Sequence, residues 1–97
     1  MRAEILDLAE TELEEAFDYY EAQKPGLGRE MIHEFRKGID RILQFPRAWR
    51  PLDATYRCYR LHRFPFGLIY RVDEARDKVV IVCVMHLSRK PGQWKGR

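Results

Sequence analysis

The chain has no long apolar run. Its longest is VVIVCVM at 79–85, far short of the ~20 residues a membrane-crossing helix needs. The first ten residues, MRAEILDLAE, lack a basic start followed by an apolar block. No targeting segment is expected, and the expected compartment is the cytoplasm. Cysteine is scarce. Cys58 and Cys83 each lie inside an apolar run, with no CxxC and no Cys/His spacing for zinc. Both are expected as buried, reduced thiols, at positions that could be neighbours in one sheet. No Gly-rich phosphate loop, nucleophile elbow, HExxH or paired-carboxylate constellation is present. Internal repeats, low-complexity segments and linkers are missing too. No metal or cofactor is expected.

What remains is a single domain over residues 1–97. Hydrophobic residues at 45% and charged residues at 34% fit a soluble globular chain rather than a disordered one. The net charge of +3 hides an asymmetry. Residues 1–24 hold eight acids against two bases, and residues 25–97 hold 16 bases against seven acids. Such a split points to one end of the molecule meeting something acidic, either nucleic acid or an acidic protein segment.

Periodicity gives the elements. A short strand at 2–6 is followed by a helix starting at Asp7. There the Asp7 carboxylate can cap the first turn, Glu10 can reach back, and the acids suit the helix dipole. Ala9, Leu13, Ala16, Phe17 and Tyr20 form its apolar stripe. Glu12, Glu14, Glu15, Asp18 and Glu21 face elsewhere and read as a solvated face. Lys24-Pro25-Gly26 ends this helix. A second helix is expected over 27–43, with Met31, Ile32, Phe35, Ile39, Ile42 and Leu43 inward. The short connection makes the pair an antiparallel hairpin. Gly38 costs about 1 kcal/mol inside a helix relative to alanine, and close approach of another element would be a reason to tolerate it. Residues 46–54 read as a loop, with Trp49 packing back on the core edge.

Three strands follow, at 56–62, 68–73 and 78–85, with Phe64-Pro65-Phe66-Gly67 turning the chain between the first two. The last is apolar on both faces and reads as central or doubly covered. Short connections make the three an antiparallel meander. The predicted fold is α+β, in the order β-α-α-β-β-β, with a helical hairpin on one face of a small antiparallel sheet. The other face needs a partner or must be polar.

The candidate chemistry is cationic. Arg57, Arg60, Arg63, Arg71, Arg89 and Lys90 could neutralise phosphates or stabilise developing charge. The plainer reading is that they decorate exposed strands and discourage edge pairing. His86 ends the last strand beside Ser88, Arg89, Lys90 and Trp94, where an imidazole could serve as general acid or base or simply be hydrogen-bonded. His33, on the second helix, and His62, on a strand, have no partner at a meaningful spacing.

The segments AETELEEAFDYYEAQKPGLG (9–28), FRKGIDRILQFP (35–46), RFPFGLIYRV (63–72) and VVIVCVMHLSRKPGQW (79–94) together resemble the RelE/ParE superfamily of toxins of type II toxin–antitoxin systems, also called plasmid stabilisation proteins. The resemblance implies the helical hairpin on a small sheet and a cognate antitoxin, here an acidic one, that covers the basic surface. RelE-like members cut mRNA on the ribosome without metal, using an arginine just ahead of the Leu-hydrophobic-Tyr of the middle strand. In this chain that position is Gly67. Arg89 matches a basic position after the last strand, and Trp94 stands where some nucleases carry a tyrosine. ParE-like members are similar in Tyr70-Arg71-Val72 and Val84-Met85-His86 and inhibit DNA gyrase. The resemblance therefore implies a ParE-like growth inhibitor. Arg60, Arg63, Arg71, Arg89, Lys90 and Trp94 are its expected surface for target or antitoxin. The nuclease alternative would use Arg89, Lys90 and His86, converging with Arg60 or Arg63 on one concave face. A non-toxic nucleic-acid-binding or structural module is the third reading.

Overall fold

The structure is a computed structural model that describes residues 1–88 and 92–97. The elements run β1 (Arg2–Ile5), α1 (Asp7–Gln23), α2 (Leu27–Gln44), β2 (Arg50–Pro51), β3 (Tyr56–Arg60), β4 (Phe66–Asp73) and β5 (Lys78–His86). They form one sheet in the order β1-β5-β4-β3-β2. The meander β3-β4-β5 is antiparallel, as its short turns require. Two refinements accompany it. β1 joins the sheet as a parallel neighbour of β5, and the two helices that follow β1 carry the chain to β2 at the opposite edge. The loop after α2 contributes the two-residue edge strand β2. The segment 61–65 makes the β3–β4 turn, so His62 lies in that turn and Phe66 and Gly67 already belong to β4.

The helical hairpin covers one face of the sheet. Ala9, Ala16, Met31, Phe35 and Ile42 meet Tyr59, Leu61, Leu68, Tyr70, Val79, Ile81 and Val84 in the main core. α1 does not begin with an aspartate cap. Leu6 holds the cap position without a side-chain bond, because β1 feeds straight into the helix through Leu6 N–H to the Ile81 carbonyl. Asp7 and Glu10 are first-turn acids that favour the dipole. α2 is capped from outside itself. The Glu21 carboxylate accepts from Gly26 N at 3.0 Å and Gly28 N at 2.9 Å, while Gly26 takes the left-handed φ of 91° that the sharp turn requires. Gly38 sits where the helix touches the sheet, and a Cβ there would lie 2.8 Å from the Tyr59 ring.

The reverse face is covered as well. Tyr56, Cys58, Ile69, Val80, Val82, Cys83 and Met85 form a second cluster under Trp94, with Leu6 and Leu52 at its margin. β5 is thus apolar on both faces because both are covered. Opposite β4, the pairing steps from Ile69↔Cys83 to Tyr70↔Ile81, so Val82 is the extra residue of a bulge. Cys58 and Cys83 both pair with Ile69, one from each side, and both are buried. Burial pushes the Cys58 thiol up.

Candidate functional site

β5 loses its neighbour halfway along. β1 pairs with it only as far as Ile81, and among the described residues no strand pairs with that edge beyond. Two side chains stand in for the missing strand. The Glu12 carboxylate accepts from Val84 N at 3.1 Å, and the Arg97 guanidinium donates to the Val82 carbonyl at 3.1 Å. The two side chains pair with each other at 3.0 Å. Cys83 Sγ lies 3.6 Å from the other Glu12 oxygen. Glu12 therefore does not belong to the solvated face of α1. The signal was in the helical repeat. Residue 12 falls between Ala9 and Ala16 on the same face, and those small side chains let α1 approach β5 closely enough for a carboxylate to reach its backbone.

Beyond this plug a cleft of about 600 Å³ opens between α1 and the ends of β4 and β5. Glu12, Glu15, Tyr19, Tyr20 and Gln23 line it from the helix, and Phe66, Val84, His86 and Ser88 from the sheet. Tyr20 packs edge-on against Phe64 at 4.9 Å, and its burial lifts the hydroxyl above the ordinary tyrosine range. His86 lies edge-on against Phe66 at 5.1 Å. Its Nδ1 accepts from Ser88 N at 3.1 Å, which puts the neutral ring's proton on Nε2.

The cations do not gather around His86. Phe66 opposes His86 and Gly67 opposes Arg60 in the register. Arg60 follows Tyr59 in the strand alternation and so shares the reverse face with Cys58. The His86 ring lies against Phe66 of the main core, on the other face. Arg63 stands in the β3–β4 turn, paired with Glu30 at 3.4 Å and 5.5 Å over the Phe64 ring. Arg71 donates through Nε to the Arg97 carbonyl at 3.3 Å, on the reverse face. Arg89 and Lys90 lie outside the described residues. Trp94 is only 4% exposed and packs into the second cluster. Arg57 donates to the Trp49 carbonyl at 2.8 Å. His62 Nε2 lies 3.0 Å from the Arg41 guanidinium, a partner that sequence spacing did not reveal. Gly67 is buried, and a Cβ on it would come within 2.7 Å of Cys58 Sγ.

Among the described residues, no three His, Cys, Asp or Glu side chains cluster closely enough to hold a metal ion. No described helix is long and apolar enough to cross a membrane.

Comparison with known proteins gives a consistent answer. Residues 3–91 match the family model of the ParE toxin of the type II toxin–antitoxin system parDE. Among solved structures, the chain superposes on one titled as the chromosomal ParDE TA system from P. aeruginosa with a TM-score of 0.79. The two are 18% identical, and the match covers 91% of this chain and 97% of that one. No curated protein matches it in sequence.

Proposed function

Since the chain belongs to the ParE toxin family of type II toxin–antitoxin systems, we propose that it arrests growth by binding DNA gyrase and that a cognate antitoxin encoded beside it holds it silent. The compartment of this action is the cytoplasm. The toxin carries out no bond chemistry of its own. Its target- and antitoxin-facing surface is the basic one that includes Arg60, Arg63 and Arg71, and Arg89 and Lys90 extend it along the sequence. Trp94 contributes from inside, anchoring the C-terminal segment that carries Arg97.

The observation that carries this reading over mRNA cleavage is Gly67. It stands where the resemblance places a nuclease arginine, and it has no room even for a Cβ. The placement of Arg60 and His86 on opposite faces of the sheet supports the same choice. Induced expression tests the toxin reading. The chain alone should stop growth, and co-expression of the neighbouring gene should restore it. Undisturbed growth at high expression of folded protein would overturn it.

A further inference from the structure

Arg47, Arg57 and Arg71 come from three segments, the loop after α2, β3 and β4. The fold brings them to one place. The β3–β4 pairing stops at Tyr56↔Arg71, and beside the end of β4 a cavity of about 260 Å³ opens. Arg47, Ala54, Thr55, Arg57, Arg71 and Val72 line it. Strand alternation puts Arg57 on the face of Tyr59 and Arg71 on the face of Ile69. Where β3 has not yet begun, arginines from both faces of the sheet can line one space. Among the described residues, no carboxylate lines it with them.

Two of these arginines are held by neutral groups. Arg57 donates through a terminal nitrogen to the Trp49 carbonyl at 2.8 Å, and Arg71 through Nε to the Arg97 carbonyl at 3.3 Å. A carbonyl fixes a guanidinium without neutralising it and leaves most of its N–H donors for another partner. Neither Arg57 nor Arg71 belongs to any ion pair among the described residues. Arg47 follows Pro46, whose carbonyl accepts from the Tyr70 hydroxyl at 2.6 Å, so the backbone beside it is tied to the core. Its side chain pairs with Glu74, both of them well exposed, and such pairs are weak. The Asp53 carboxylate accepts from Thr55 N at 2.8 Å and holds the turn that carries Thr55. Like charges held around one cavity repel, and an anion placed among them removes that cost.

We propose that this cavity binds a phosphate group, either free or carried by a nucleotide or a nucleic-acid backbone. A carboxylate presents two oxygens in one plane, which a single guanidinium fork can take. Guanidinium groups from three segments suit an anion whose oxygens point several ways, and the Thr55 hydroxyl adds a neutral donor. The volume lies below the ~300 Å³ at which pockets for drug-sized ligands begin, so the cavity takes one such group rather than a whole cofactor. Of the arginines assigned above to target or antitoxin, only Arg71 takes part. The site therefore does not depend on what the toxin arrests.

The test is an NMR titration of the full chain with inorganic phosphate at constant ionic strength. Amide signals of Thr55, Arg57 and Arg71 should shift and saturate. Arg47→Gln and Arg57→Gln should each weaken binding about fivefold or more through lost charge-assisted bonds. Arg36→Gln, which removes an exposed base on α2, should leave it unchanged. Arg47 is exposed, so its variant tests the site even where Arg57→Gln disturbs the fold, and circular dichroism checks both. Succinate, the carboxylate control, should bind more weakly than phosphate. A second arm titrates a thymidine octanucleotide. Binding about tenfold tighter than phosphate, and weakened by Arg47→Gln, would place a nucleic-acid backbone in the site. Equal or weaker binding would assign it to free phosphate or a phosphate monoester. Shifts that never saturate would mean an adventitious ion only. That result, an equal loss on Arg36→Gln, or succinate binding as tightly as phosphate would each overturn the proposal.

Discussion

The Glu12 carboxylate and the Arg97 guanidinium meet at 3.0 Å although 85 positions separate them in sequence. Each also bonds the β5 backbone where β1 has ended. Their side chains are only 15% and 19% exposed. Removing one partner leaves the other charge half-buried beside an unmet backbone group, which costs about 2–3 kcal/mol. Glu12→Ala and Arg97→Ala should each destabilise by about that amount in urea unfolding. The double variant should lose clearly less than both singles together. Full additivity would show that the pair does not hold the C-terminal segment.

Trp94 is the second anchor of that segment, and its buried indole N–H has no hydrogen-bond partner among the described residues. An unmet donor costs free energy that a hydrocarbon ring does not. Trp94→Phe should therefore cost less than about 1.5 kcal/mol, and Trp94→Ala about 3–5 kcal/mol. Equal losses in thermal unfolding would mean that the indole is not filling the reverse-face cluster.

Gly38→Ala pits helix propensity against contact. Alanine gains about 1 kcal/mol in a helix interior. The added Cβ would stand 2.8 Å from Tyr59 and 3.1 Å from Leu68, both in the core. The clash should win, with a net loss of about 1–3 kcal/mol by urea unfolding. A stabilised variant would show that the helix can retreat from the sheet at no cost.

Tyr70 gives an alkaline prediction. Its hydroxyl donates to the Pro46 carbonyl at 2.6 Å, and burial pushes its pKa up to about 12. The unfolded chain gives up this proton near pH 10. Between about pH 10 and 12 the unfolded state binds fewer protons than the folded one, so stability falls as pH rises. Tyr70→Phe should flatten that limb and cost about 1 kcal/mol at pH 7 through the lost hydrogen bond. An unchanged alkaline limb in unfolding curves would contradict the assignment.

Asp53 acts at the acid end. Its Oδ1 accepts from Tyr56 N and Thr55 N, both at 2.8 Å, and those bonds hold its carboxyl below the usual range. A depressed folded pKa stabilises above the unfolded value near pH 4 and is lost as pH falls through the folded one. Asp53→Asn should reduce the slope of stability against pH below about pH 4. The turn into β3 should loosen, as seen in faster amide exchange at Tyr56.

The hairpin and the meander were legible because their apolar residues repeat over many positions, at helical spacing along 9–20 and 31–43 and continuously over 79–85. Gly38 was legible for the same reason, since a costly residue inside a strong pattern implies contact. β1 and β2 are too short for a pattern to establish their pairing, and β2 contains Pro51. Asp7 read as a cap because local sequence does not reveal that β1 runs straight into α1. Glu12 and Glu21 read as solvated because a carboxylate's partner here is a backbone N–H, which no side-chain alphabet encodes. Within the candidate site, the cations could be found by composition. Their distribution over two faces depends on strand register, and the burial of Trp94 depends on a reverse face that the C-terminal segment closes.

The measurement that bears most directly on the account is supercoiling of relaxed plasmid by purified DNA gyrase with the chain titrated in, run beside mRNA on purified ribosomes. The account predicts loss of supercoiling, relief by the cognate antitoxin, and intact mRNA. Undiminished supercoiling with cleaved mRNA would contradict it and return the cations to a catalytic role.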